Sequence, residues 1–233
     1  MNPPKKPPVK PVELSPELLL RAYAAGIFPM SESREDADIF WVDPETRGIL
    51  PLDDFHIPKS LKKIVRKNVF DVHCNKAFDE VLRLCATVPG RPETWINPSI
   101  QRAATELHKM GFAHSVECWQ HDQLVGGLYG IALGGAFFGE SMFSLKPNAS
   151  KVALVHLVAR LKHGGFKLLD TQFVTEHLTQ FGVIEIPARI YLQQLSGALS
   201  HRLQFPTGVM DKALEQTLRC LLSIPGKNNR VKK

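Results

Sequence analysis

The sequence predicts an α+β fold: a small N-terminal helix-plus-hairpin domain, then a larger domain built on a mixed sheet. Three patterns predict it. Ser15-Pro16-Glu17 places a capping serine and a first-turn proline ahead of an apolar run, which opens a helix near the start of the chain. Residues 113–144 read as three strands separated by His121-Asp122-Gln123 and Gly134-Gly135, an antiparallel meander. A long apolar-striped helix over residues 148–163 then leads into a strand over 167–173.

Taken in order, residues 1–11 hold five prolines and three lysines and are expected to be disordered. Residues 12–57 form the small domain. Its helix runs from the Ser15 cap to Gly26, and an apolar segment and a polar loop follow. Strands over 39–42 and 48–52, joined by a turn at Asp43-Pro44-Glu45, make its hairpin. Residues 58–208 form the larger domain. A basic helix spans 59–67. A second spans 77–86, with Phe78, Val81, Leu82 and Cys85 on one face. A third spans 98–110, between an Asn97 cap and a Gly111 stop. After the meander, Val152, Val155, Leu157, Val158 and Leu161 form the inner stripe of the 148–163 helix, which Gly164-Gly165 ends. Short helices over 174–181 and 190–199 follow the last strand. Residues 209–233 are a C-terminal extension with a basic tail. The order strands, helix, strand, helix resembles the core of the N-acetyltransferase-like fold.

Composition bounds the function. With 233 residues, 44% of them hydrophobic, the chain can bury a substantial core. Its longest apolar stretch, residues 128–138, is interrupted by Gly130, Gly134 and Gly135 and falls short of the ~20 residues a membrane helix needs. The opening residues lack the apolar core of a secretory signal. Both points lead to an expectation of a cytoplasmic protein with no membrane partner. Cys74, Cys85, Cys118 and Cys220 include no CxxC pair and are read as free thiols. The nine histidines show no HExxH spacing, so no metal is expected. A net charge of +6 and a pI near 9.2 suit a polyanionic partner, although part of the excess lies in Lys5, Lys6, Lys10 and residues 227–233, which a solvated tail explains equally.

Several residues could carry chemistry. Asp170 and Gln172 are two apart on a predicted strand and so share a face beside apolar Leu168, Leu169 and Phe173. A carboxylate there can act as base or hold an amine, with the amide orienting it; the plain alternative is a strand-end cap. Glu140 sits in Phe138-Gly139-Glu140-Ser141-Met142-Phe143, where a lone buried carboxylate is costly, so it faces a cleft or has a structural partner. Gly126-Gly127 and Gly134-Gly135 allow a bulge or close approach of a ligand. The segment before the 148–163 helix lacks the R/Q-x-x-G-x-G/A turn that holds a coenzyme A pyrophosphate, which argues against that cofactor. Trp41 and Trp95, at strand or loop edges, can stack on a nucleobase; Trp119 reads as core. Lys59, Lys62, Lys63, Arg66 and Lys67 would neutralise phosphates, or form a solvated helix face.

Segments in consistent order then resemble the leucyl/phenylalanyl-tRNA–protein transferase family over about residues 14–195. They include Ala22-Tyr23-Ala24-Ala25-Gly26-Ile27-Phe28-Pro29, Trp41-x-x-Pro44-x-x-Arg47, Thr94-Trp95-Ile96 and Leu124-Val125-Gly126-Gly127-Leu128-Tyr129-Gly130. Phe138-Gly139-Glu140-Ser141-Met142-Phe143-Ser144, Asn148-Ala149-Ser150-Lys151 and Leu168-Leu169-Asp170-Thr171-Gln172 complete the match. The resemblance implies transfer of Leu or Phe, and less well Met, from aminoacyl-tRNA to proteins beginning with Arg or Lys, which marks them for degradation. It implies no cofactor, because the ester is already activated, and a monomer. It implies that Asp170, Gln172 and Glu140 form the catalytic group and that Lys59, Lys62, Lys63, Arg66 and Lys67 bind tRNA. Trp41 and Trp95 would stack near the terminal adenosine. Leu128, Tyr129, Phe137, Phe138, Ser144, Leu157 and Leu169 would line the substrate site. The chain departs from the family pattern at Val42-Asp43-Pro44, where a serine is expected before the proline, at Leu128, often methionine, and beyond Leu195. A coenzyme A-dependent N-acetyltransferase and a non-catalytic RNA-binding module are the rival readings.

Overall fold

A computed structural model describes residues 14–87 and 94–224. The expected disordered head and the basic tail lie outside the described residues. Helix α1, Pro16–Ala24, begins as expected: the Ser15 side chain accepts a hydrogen bond from the Leu18 amide at 3.2 Å. Strands β1, Phe28–Met30, and β2, Phe40–Val42, pair antiparallel and make the small hairpin. The sequence predicts β2 paired with the strand after it. That strand, β3, Thr46–Ile49, instead lies inside the large sheet.

The remaining elements are α2, Lys59–Arg66; β4, Asp71–Cys74; α3, Phe78–Thr87; α4, Pro98–Lys109; β5, Ala113–Gln120; β6, Gln123–Leu133; and β7, Ala136–Ser144. Then come α5, Ala149–His163; β8, Leu168–Gln172; α6, Glu176–Thr179; β9, Ile184–Pro187; α7, Ala188–Leu199; and α8, Lys212–Ser223. Seven strands form a mixed sheet in the order β4-β5-β6-β7-β8-β3-β9, with β7 and β8 parallel and the other neighbours antiparallel. The β5–β6 turn has positive φ at both His121 and Asp122, the backbone that matches strand twist in a tight hairpin.

The sheet separates two apolar cores. One is packed by α5 with α2 and α8; the other by α1, α3, α4 and α7. The sequence predicts one apolar stripe on α5, but residues 152–161 are all buried. The reason is α8, which the sequence reading left within the extension: it is capped by Asp211 and lays Leu214, Leu218, Leu221 and Leu222 against the outer side of α5.

Two neighbouring strands are fastened by charge. Arg47 on β3 and Asp170 on β8 are 1% and 0% exposed and form an ion pair at 2.7 Å. Loss of one partner leaves the other charged and buried. Arg47→Met is therefore expected to destabilise the protein by about 3–5 kcal/mol in equilibrium denaturation, and Arg47→Met with Asp170→Asn by less than Arg47→Met alone.

Candidate active site

Pairing of β7 with β8 runs through Ala136–Leu168, Phe137–Leu169 and Phe138–Asp170. Strand β7 continues to Ser144, while β8 ends at Gln172, so the two part beyond that last pair. A cavity of about 810 Å³ opens in the gap. Residues Gly139 to Ser144 line it from β7, and Leu169, Thr171 and Gln172 from β8. Leu128 and Tyr129 of β6, Leu154 and Leu157 of α5, and Trp95 complete much of its wall.

Behind this wall runs a continuous polar chain. Arg47 Nε donates to both Asp170 oxygens at 3.0 and 3.1 Å, and Nη2 donates to Oδ2 at 2.7 Å. Arg47 Nη1 donates to the Gly26 carbonyl at 3.1 Å, and its guanidinium lies 4.4 Å from the Phe28 ring centre and 4.7 Å from that of Tyr191. The Tyr191 hydroxyl donates to Asp170 Oδ2 at 2.6 Å. Burial opposes the Arg47 charge, but the hydrogen bonds and attraction to Asp170 outweigh it and push its pKa up. Burial, then the Asp170 charge, push the Tyr191 hydroxyl well above its ordinary range, so it remains a donor.

Asp170 also reaches forward. Its Oδ1 accepts the Gln172 backbone N–H at 2.7 Å. Gln172 has φ +61, and the next amide, Phe173 N–H, bonds back to the Thr171 carbonyl at 2.6 Å. A non-glycine residue in this region is costly and persists where its surroundings hold it. Asp170 is one of the groups that hold it. The Gln172 side chain then donates Nε2 to Glu140 Oε1 at 3.0 Å, and the Tyr23 hydroxyl donates to the same oxygen at 2.7 Å. With the amide nitrogen directed at Glu140, the amide oxygen is left as an acceptor. Burial pushes the Glu140 carboxyl up to about 7; the Tyr23 hydrogen bond pulls it down, nearby Asp170 pushes it up, and Arg47 and Gln172 pull it down. Glu140 is nevertheless part-exposed on its cavity side.

Of the residues named from sequence, Trp95, Leu128, Tyr129, Glu140, Ser144, Leu157, Leu169 and Gln172 line the cavity. Asp170 does not: it stands behind Gln172, covered by Arg47 and Tyr191. Phe137 and Phe138 are fully buried in the two cores, with Phe138 against the Tyr23 ring at 4.8 Å. Trp41 is 39% exposed on β2, away from the cavity wall. Lys59, Lys63 and Arg66 of α2 and Lys67 just after it are exposed, whereas Lys62 is buried. Lys62 Nζ donates to the Ile224 carbonyl and Arg66 Nη2 to the Leu222 carbonyl at 2.8 Å, so both hold the end of α8. Burial, then Arg66, lower the Lys62 pKa.

The sequence reading missed Arg47 as a site residue, although it ended one of the quoted motifs, and missed Tyr23, Tyr191, Met142 and Leu154. Among the described residues, no three His, Cys, Asp or Glu side chains are grouped to hold a metal ion.

Comparison with known proteins matches the chain to a family. The model described as leucyl/phenylalanyl-tRNA protein transferase matches residues 49–196, and the one described as its N-terminal domain matches residues 12–45. The chain is 60% identical over 193 residues to the leucyl/phenylalanyl-tRNA–protein transferase of Paramagnetospirillum magneticum, covering 82% of this chain and 92% of that one. It is 55% identical over 201 residues to that of Rhodospirillum rubrum, covering 86% and 94%. The solved structure of L-PGS from Bacillus licheniformis aligns with a TM-score of 0.38 at 15% identity, over 73% of this chain and 58% of that one, too loosely to carry an argument. On the family match and the identity of these relatives, the chain belongs to the leucyl/phenylalanyl-tRNA–protein transferase family.

Proposed function

We propose that the cavity between β7 and β8 joins the carboxyl group of a tRNA-borne Leu, Phe or, less well, Met to the α-amine of an acceptor protein beginning with Arg or Lys. Family membership makes aminoacyl-tRNA the donor. The observation that carries the reading is Gln172, its backbone N–H held from behind by Asp170 and its side-chain amide held from the side by Glu140, with the amide oxygen left for an incoming N–H.

The reaction follows from the ester. The acceptor's neutral amine attacks the ester carbonyl carbon, a C–N bond forms, and the C–O bond to the ribose breaks. The proton lost from nitrogen balances the proton gained by the departing ribose hydroxyl. No further energy source is needed. Gln172 accepts a hydrogen bond from the attacking amine and fixes its approach. Asp170 acts through Gln172, by its hold on that residue's backbone, and not by contact with substrate. Glu140 anchors the donor's amino group. Placing amine and ester together is itself a large part of the acceleration.

The donor side chain enters among Leu128, Met142, Leu154, Leu157 and Leu169. Such apolar walls separate similar side chains by only ~1–3 kcal/mol, which suits a mixed range of donors. Trp95 supplies a flat face for the terminal base. Lys59 and Lys63, exposed on α2, and Lys67 at its end meet phosphates of the acceptor stem.

Purified protein with Leu-tRNA is expected to label a peptide beginning with Arg, and RNase to abolish labelling. Gln172→Ala is expected to lower turnover at least ~100-fold, the scale of losing a positioned group, with donor affinity little changed. Labelling that survives RNase would contradict the reading. A pH series tests Glu140. Burial pushes its carboxyl up to about 7 from an ordinary 4.5, and only the ionised form holds an ammonium well. Donor affinity is therefore expected to rise as pH rises through about 7 and to fall again as the donor's α-ammonium, ordinarily near ~8, loses its proton. In Glu140→Gln that rise should vanish.

A further inference from the structure

We propose that Glu32, on the rim of the cavity, binds the side-chain cation of the acceptor's N-terminal residue. This rests on the transfer reading above and names the part of the site that would select Arg or Lys.

The cavity wall carries two carboxylates, Glu32 and Glu140, and no Lys or Arg among the described residues. Its one histidine, His177, has its pKa lowered by burial and then by Lys151, so it adds no cation at neutral pH. An anionic wall is notable in a chain of net charge +6, and it is wrong for phosphate. It suits a cationic ligand group. The Tyr129 hydroxyl, on a residue 1% exposed, has no hydrogen-bond partner among the described residues.

Glu32 and Glu140 are not equivalent. Glu140 Oε1 already accepts from Tyr23 and Gln172. Glu32 is exposed and has no hydrogen bond or ion pair with any described residue. Its place is nonetheless fixed. Ser31, 2% exposed, donates its hydroxyl to the carbonyls of Ser33 at 2.9 Å and Asp36 at 3.3 Å. The Asp36 carbonyl also accepts from Asn97 Nδ2 at 2.9 Å, at the head of α4. Arg34 Nη1 donates to the Ala86 carbonyl at 3.3 Å, near the end of α3. The β1–β2 loop is thus braced against two helices, and Glu32 stands where that loop meets the cavity.

The chemistry assigns the roles. The acceptor amine attacks as a neutral group, so the only cation an N-terminal Arg or Lys retains is its side chain. A free carboxylate on the rim is the partner the wall offers it. Glu35, Asp36 and Asp38 in the same loop add to the local field, while its one arginine is turned to the Ala86 carbonyl. An exposed pair of this kind is worth up to about fivefold in affinity.

The test compares two peptides that differ only in their first residue, Arg or its neutral isostere citrulline, with Leu-tRNA as donor. The wild-type protein should favour the Arg peptide through KM. Glu32→Gln should lower kcat/KM for the Arg peptide about three- to fivefold, leave the citrulline peptide unchanged, and leave donor KM unchanged. Glu32→Lys should reduce the Arg preference further, and high salt should erase the difference between wild type and Glu32→Gln. An unaltered Arg-to-citrulline ratio in Glu32→Gln, or a change confined to donor KM, overturns the proposal. If the wild-type protein transfers to neither peptide, the transfer reading itself fails, and this proposal with it.

Discussion

The candidate active site depends on one buried ion pair. Arg47 and Asp170 are both removed from water, a costly state for two charges unless every lone pair and N–H finds a partner. Here they do much to satisfy one another. Asp170 accepts from Arg47, Tyr191 and the Gln172 amide, and Arg47 adds the Gly26 carbonyl and two aromatic faces. The pair therefore joins the end of α1, the inserted strand β3, the strand β8 and the helix α7 at one point. Hydrophobic replacement could fill that space, but it could not hold a backbone N–H at the strand end.

That backbone contact links fold to chemistry. Strand β8 stops pairing with β7 just where Asp170 sits, and two residues later Gln172 adopts a left-handed backbone. The parting of parallel strands makes the cavity, and the turn aims the amide into it. In the reaction proposed above the ester is already activated, so the protein would contribute a fixed approach for the amine, a greasy seat for the donor side chain and an anchor for its amino group. Burial, with the nearby Asp170 charge, pushes the Glu140 carboxyl up to about 7.

Much of this was legible in sequence, for physical reasons that differ between elements. The meander declared itself through alternation and turn residues, and β7 occupies the predicted residues. The caps at Ser15 and Asn97 hold as read, since a side-chain oxygen three residues before a free amide is a local signal. Strands β4 and β9 were missed: each has four residues and lies on a sheet edge, and β9 ends in proline. Helix α8 was legible in its leucine spacing but went unread in a divergent segment. In the site, Glu140 and Gln172 stood out as polar residues in apolar strands. The position of Asp170 behind Gln172 did not, because its cover comes from Arg47 and Tyr191, 123 and 21 residues away. Lys62 likewise looked solvated, and only the distant α8 makes it a buried clamp.

The central claim is that Asp170 acts by holding Gln172 in place. Its most direct measurement is the single-turnover transfer rate of Asp170→Asn, at saturating aminoacyl-tRNA and at a temperature where circular dichroism shows the variant folded. The amide keeps the shape but replaces a charged acceptor shared by Arg47, Tyr191 and the Gln172 N–H with a weaker one. The account predicts a rate about 100-fold or more below wild type, with aminoacyl-tRNA affinity unchanged. A folded variant that transfers at the wild-type rate would contradict it.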